Sequence, residues 1–115
     1  MNRPEENIQQ DIVKWFRNTY CLKHHTPRYA IFSVPNEAAY KNKKFILTGL
    51  MRGVSDLIVV INNQTLYFEL KTATGKQSDK QVEFEETIKN LNQDYHLVRS
   101  LEQFQKIIKG YLLHT

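Results

Sequence analysis

The run Asp56-Leu57-Ile58-Val59-Val60-Ile61 constrains this chain more than any other segment, because its β-branched side chains suit a strand buried on both faces. Asn62-Asn63 follows. Asparagine tolerates positive φ, so the pair can close a tight hairpin into a second strand running from Gln64 to Thr72. A two-residue turn pairs Ile61 with Gln64 and sets Asp56 opposite Glu69, with Cβ atoms about 5 Å apart. A three-residue turn sets Asp56 opposite Leu70 instead.

Within Tyr67-Phe68-Glu69-Leu70-Lys71 the side chains alternate, placing Phe68 and Leu70 on one face and Glu69 with Lys71 on the other. A carboxylate among apolar strand neighbours costs several kcal/mol to bury unless it is paired or bound to a cation. Two facing carboxylates repel, and the simple remedies are a shared proton or a divalent ion held by oxygen ligands. Magnesium takes one or two protein carboxylates and keeps most of its waters, which suits Asp56, Glu69 and the backbone carbonyl of Leu70, with manganese able to substitute. On the same face, the Lys71 ammonium could orient or help deprotonate a water, or neutralise charge developing on phosphoryl oxygens. An isolated Glu-x-Lys is ordinarily just an edge-strand ion pair. Asp56, thirteen residues upstream of Glu69, makes the chemical reading the stronger one.

The remaining elements follow from periodicity. Ile8, Ile12, Trp15 and Phe16 recur at helical spacing over Glu5 to Tyr20, and Pro4 suits the first turn. His24 to Pro27 reads as a loop, Tyr29 to Val34 as a strand, and Glu37 to Leu50 as a second helix. Helical pattern returns from Ser78 to Leu91, then comes a strand at Tyr95 to Arg99 and a last helix through Phe104, Ile107, Ile108, Tyr111 and Leu112. The order α, β, α, β, β, α, β, α predicts a small mixed sheet with helices on its faces, an α/β architecture.

The 115 residues leave room for one domain, 1–115, and exclude separate cofactor and substrate modules. No apolar run approaches the length of a membrane span and the N-terminus lacks a signal-peptide core, which predicts a soluble, intracellular, cytoplasmic protein that does not engage a membrane. The single cysteine, Cys21, forms neither an internal disulfide nor a zinc cluster and reads as packing. His24 and His25 have no partner at zinc-ligand spacing. Gly49 and Gly53 lack the spacing of a phosphate-cradling loop, so no nucleotide cofactor is expected. The net charge of +4 divides as +1 over residues 1–40, +4 over 41–80 and −1 over 81–115. Lys41, Lys43, Lys44, Arg52, Lys76 and Lys80 therefore make a basic middle segment able to contact a phosphate backbone, although a solvated lysine-rich surface explains the charge as well. Tyr40 among these lysines interleaves an aromatic ring with cations, as in binders of single-stranded or branched nucleic acid.

Four blocks carry a resemblance: Val34-Pro35-Asn36-Glu37, Gly53-Val54-Ser55-Asp56-Leu57-Ile58, Phe68-Glu69-Leu70-Lys71-Thr72, and Gly75-Lys76-Gln77-Ser78-Asp79-Lys80-Gln81. In this order they resemble the VRR-NUC family of the PD-(D/E)xK nuclease superfamily, from the first helix to the last strand. The resemblance implies a restriction-endonuclease-like fold and a metal-dependent DNA endonuclease. It gives metal binding to Asp56 and Glu69, assistance in hydrolysis to Lys71, and a place near the active site to Gln81. It also implies a glutamate on the first helix, best matched by Glu5 with Gln9 one turn on, with Glu6 second. By spacing alone Glu5 is equally a first-turn acid complementing the helix dipole. Ser55 stands where many relatives have proline. By analogy with Holliday junction resolvases the expected assembly is a homodimer facing branched DNA. The rival readings are a nucleic-acid-binding module that keeps the fold without cleaving, and a restriction-type endonuclease. The first is disfavoured by the presence of Asp56, Glu69 and Lys71 together, the second by the few elements left over to read base edges.

Overall fold

The computed structural model describes residues 4–34 and 49–113. These form α1 (Glu5–Tyr20), β1 (Ala30–Ser33), β2 (Leu57–Ile61), β3 (Gln64–Leu70), α2 (Asp79–Asn90), β4 (Asp94–Val98) and α3 (Leu101–Leu112). The strands lie in the order β1-β2-β3-β4, the first three antiparallel and β4 parallel to β3. A parallel neighbour requires a crossover, and α2 supplies it. The expected helix over residues 37–50, and Lys41, Lys43 and Lys44 with it, lies outside the described residues apart from Gly49 and Leu50, which are not helical.

The hairpin closes with two residues, Asn63 at φ 58°, and pairs Ile61 with Gln64, Val59 with Leu66 and Leu57 with Phe68. Alternation then sorts the sheet. Leu57, Val59, Ile61, Leu66, Phe68, Leu70 and Val98 face α1 and α3, meeting Ile8, Ile12, Phe16, Phe104 and Ile108 in the main core. Phe104 lies edge-on to both Phe16 and Phe68, with centroids 6.1 and 4.7 Å away. Burial of each such ring stabilises the fold by about 2 kcal/mol. The opposite face carries Tyr67 and Tyr95 under Phe84 and Ile88 of α2, a second and smaller cluster.

Local features set the end of β3, the start of α3 and the cover over β2. β3 ends at Leu70 because the next residues fold into a turn in which the Gly75 N–H bonds the Thr72 carbonyl at 3.2 Å. α3 starts at Leu101, where the Ser100 side chain caps it by accepting from the Gln103 N–H. β2 is not covered throughout: Val60 is 38% exposed, since the smaller α2 layer sits over Tyr67 and Tyr95 and stops short of it. Among the described residues no helix is long and apolar enough to cross a membrane.

Candidate active site

Where β2 begins and β3 ends, the hairpin register brings Asp56 beside Glu69. Leu57 pairs with Phe68, and one step further an Asp56 side-chain oxygen accepts from the Leu70 N–H at 2.7 Å while its carbonyl accepts from the Val34 N–H at 3.0 Å. Asp56 is thus fixed from both neighbouring strands, and its carboxyl lies close enough to Glu69 to push that group's pKa up. A strand residue presents its N–H and C=O to the same side, so the Leu70 carbonyl also turns toward Asp56. Lys71, two residues beyond Glu69 on the same face, is 9% exposed and holds its backbone by an N–H bond to the Val98 carbonyl.

Glu69 has no solvent exposure. Burial, then hydrogen bonding and repulsion from Asp56, push its carboxyl up to about 9, against the pull of Lys71 and of the Tyr95 hydroxyl. At neutral pH Glu69 therefore keeps its proton. The alternative to the proton is a cation, and two carboxylates with a strand carbonyl form the hard-oxygen donor set that magnesium or manganese accepts. No group of three or more His, Cys, Asp or Glu side chains able to hold a metal exists among the described residues, so water and substrate would have to complete the coordination of any ion.

Gln81 reaches this pair from α2. Its Nε2 donates to Glu69 Oε2 at 3.0 Å. The orientation of the amide is set by the helix cap: Gln81 Oε1 accepts from the Ser78 N–H at 2.8 Å while the Ser78 Oγ accepts from the Gln81 N–H, a capping box. With its oxygen used by the cap, Gln81 has only its NH₂ left to offer, and a carboxylate is the acceptor it meets. Gly53, at φ 82°, fastens the strand carrying Asp56 to the same helix turn. A Cβ there would stand 2.2 Å from the Lys80 carbonyl oxygen, so only glycine permits the approach. Next to Asp56, the Ser55 Oγ is buried without a hydrogen-bond partner.

Glu5 is exposed in the first turn of α1, one turn before Ile8, which enters the main core. Gln9, half-buried, lines a groove of about 890 Å³ with Glu6, Arg17 and Ser33, and Glu6 accepts from Gln10 at 3.5 Å. Lys76 and Lys80 are exposed on the turn before α2 and at its start, with Lys80 beside Glu83 at 3.4 Å. Arg52 is exposed across from Lys80 in a small cleft closed by Phe84. His25 bonds the Leu22 N–H within its own turn, and Cys21 packs against the main core.

Three site-shaping residues escape the sequence reading. The Tyr95 hydroxyl reaches Glu69 Oε1 at 3.3 Å, and Gln77 Nε2 bonds both Tyr95 Oη at 3.1 Å and Glu85 Oε1 at 3.0 Å. Arg99 Nη1 donates to the carbonyls of Thr72 at 2.6 Å and Gly75 at 2.8 Å, clamping the turn that follows Lys71. Ser78-x-x-Gln81 is itself a readable capping signature; nothing local marks Tyr95, whose placement depends on the parallel pairing of β4 with β3.

No family model matches the chain, and no curated protein matches it. Among solved structures, a VRR_NUC domain protein superposes with a TM-score of 0.74 over 93% of this chain and 86% of its own, at 22% sequence identity. Likeness at that identity speaks for architecture, and the chain has the fold of a VRR_NUC domain protein.

Proposed function

We propose that this protein is a metal-dependent nuclease of the PD-(D/E)xK type that hydrolyses phosphodiester bonds in DNA. The observation that carries the reading is the meeting of Asp56 and Glu69 across the hairpin, on a face that also holds a nearly buried Lys71. Asp56, Glu69 and the Leu70 carbonyl would hold magnesium, with manganese able to replace it. Bound there, the ion would supply a water of lowered pKa and draw negative charge from the phosphoryl oxygens.

The protein's own residues supply the rest. Lys71 extends an ammonium beside the pair, where its N–H groups can orient the attacking water or compensate charge on the scissile phosphate. Gln81 keeps Glu69 in place through a bond that its helix cap makes one-directional. Lys76, Lys80 and Arg52 form a basic rim able to contact flanking phosphates, which fixes register without reading sequence. A chain of 115 residues offers little area for a branched substrate, and a two-fold dimer would present matched sites to two strands.

The test is incubation of the purified protein with linear, flap and four-way DNA in Mg²⁺, Mn²⁺ or EDTA, alongside Asp56→Asn. Cutting that requires the ion and disappears in the variant supports the proposal. Binding without cutting would make the protein a nucleic-acid-binding module, and cutting of linear duplex at one sequence would make it a restriction-type enzyme. Light scattering of the free protein and of its complex with four-way DNA decides between monomer and dimer.

A further inference from the structure

Glu69 is a flexible side chain with three rotatable bonds, yet a metal ligand must present its oxygens at fixed positions. Both oxygens of its carboxylate are engaged, Oε2 by Gln81 and Oε1 by the Tyr95 hydroxyl. Tyr95 is 5% exposed, its ring packed edge-on against Phe84 with centroids 6.2 Å apart and enclosed with Ile88. A hydroxyl on so confined a ring has one proton to give. Gln77 decides where it goes. Gln77 Nε2 donates to Tyr95 Oη and to Glu85 Oε1, and Glu85, ion-paired with Lys89, remains a carboxylate that only accepts. Glu85 thus fixes which end of the Gln77 amide faces Tyr95. That amide fills an acceptor position on the hydroxyl, and the hydroxyl proton is left to point at Glu69.

We propose that Tyr95 and Gln77 are positioning residues for Glu69: the Tyr95 hydroxyl, aimed by Gln77, holds the Glu69 carboxylate in the rotamer that meets Asp56 and so sets how tightly the pair binds a divalent cation. The inference rests on the metal-binding reading of the site and adds two residues to which the nuclease resemblance gives no role. Gln77 follows Lys76 directly and precedes the Ser78 cap, so the segment carrying the basic rim also carries the group that orients the ligand.

Binding of Mn²⁺ alone, followed by loss of the free-ion electron paramagnetic resonance signal, tests this without any turnover. The parent protein is compared with Tyr95→Phe, which keeps the ring, with Gln77→Ala, a part-exposed change outside the core, and with the double variant. Loss of such a supporting hydrogen bond weakens metal binding about 10- to 100-fold, expected for Tyr95→Phe, with a smaller loss in the same direction for Gln77→Ala. The double variant should bind no worse than Tyr95→Phe, because both act through one hydroxyl. Cleavage by Tyr95→Phe should return toward the parent rate as Mn²⁺ is raised, whereas a purely structural role would lower the unfolding midpoint and leave Mn²⁺ affinity alone. Affinities of both single variants within about twofold of the parent would overturn the proposal while leaving the metal site intact. A parent protein that binds no Mn²⁺ would overturn both.

Discussion

Replacing Glu69 by glutamine should make the ion-free protein more stable at neutral pH. The Glu69 carboxyl, fully buried against Asp56, is held at about 9, compared with 4.5 for a free glutamate. The folded state therefore binds a proton that the unfolded chain has released. Stability contributed by this protonated group is complete below pH 4.5 and is lost at about 1.4 kcal/mol for each pH unit up to the folded-state value. At pH 7 the loss amounts to about 3 kcal/mol. In Glu69→Gln nothing titrates; the amide oxygen keeps accepting from Gln81 Nε2, while the NH₂ stands where Oε1 accepted from the Tyr95 hydroxyl, and losing that bond costs about 1 kcal/mol. In EDTA at pH 7 the net gain of about 2 kcal/mol should raise the midpoint of the variant by up to about 8 °C, at roughly 4 °C per kcal/mol for a chain of this size. The gap should close on acidification toward pH 5. Circular dichroism melts at pH 4.5, 7 and 8.5 measure the gap, and added Mn²⁺ should raise the parent midpoint and not that of the variant. Parallel melting of the two proteins across this range would mean that Glu69 titrates as an ordinary surface acid, and the electrostatic account of the site would be wrong.

Three other outcomes follow from the same geometry. Because Glu69 carries its proton at pH 7, Mn²⁺ binding should release close to one proton per ion, read as a buffer-dependent enthalpy in titration calorimetry; an enthalpy independent of the buffer would refute it. Lys71→Ala should lower cleavage by about 100-fold or more while DNA affinity by fluorescence anisotropy stays within a few-fold, and ion-dependent cutting that survived would remove Lys71 from the chemistry. Ser55→Ala removes a buried hydroxyl without a partner and should raise the urea midpoint by the equivalent of about 1 kcal/mol with the m-value unchanged; a fall would show that the hydroxyl has work in the folded protein.

How far the site could be read from the sequence depended on how local its determinants are. The pairing of Asp56 with Glu69 lies within one hairpin, where a two-residue turn allows a single register and Asn63 accepts the positive φ that turn needs. Gln81 was placed near the site by the resemblance of its block, and the Ser78-x-x-Gln81 cap that orients it lies within four residues of sequence. Tyr95 and Gln77 were not, because they join Glu69 only after α2 has crossed the sheet and laid β4 parallel to β3, and a tyrosine in an alternating strand fits either face. Glu5 is set by helical spacing alone: it shares a face of α1 with Ile8 and Ile12, which enter the main core. The helical period specifies a shared face and is silent about which side of the sheet that face covers.

The division of the sheet into two faces explains how a chain this small holds a carboxylate in so unfavourable a place. The cluster under α1 and α3 contains Phe16, Phe68 and Phe104 and no charged side chain, and it would fold the hairpin whatever stood at position 69. The other face is apolar around Ile58, Tyr67 and Tyr95, and toward the strand ends it turns to Glu69, Lys71 and Asp56. Cost and support therefore sit on different sides of the same strands: Phe68 and Leu70 stabilise β3 from one side while Glu69 strains it from the other. Gly53 against Lys80 and the Ser78 cap then place the Asp56 strand and Gln81 through a single helix turn, so the charged edge needs no core of its own to be ordered. A site built this way can exchange a proton for a cation without the main core repacking, because the groups that respond lie on the opposite face of the sheet from the groups that hold it together.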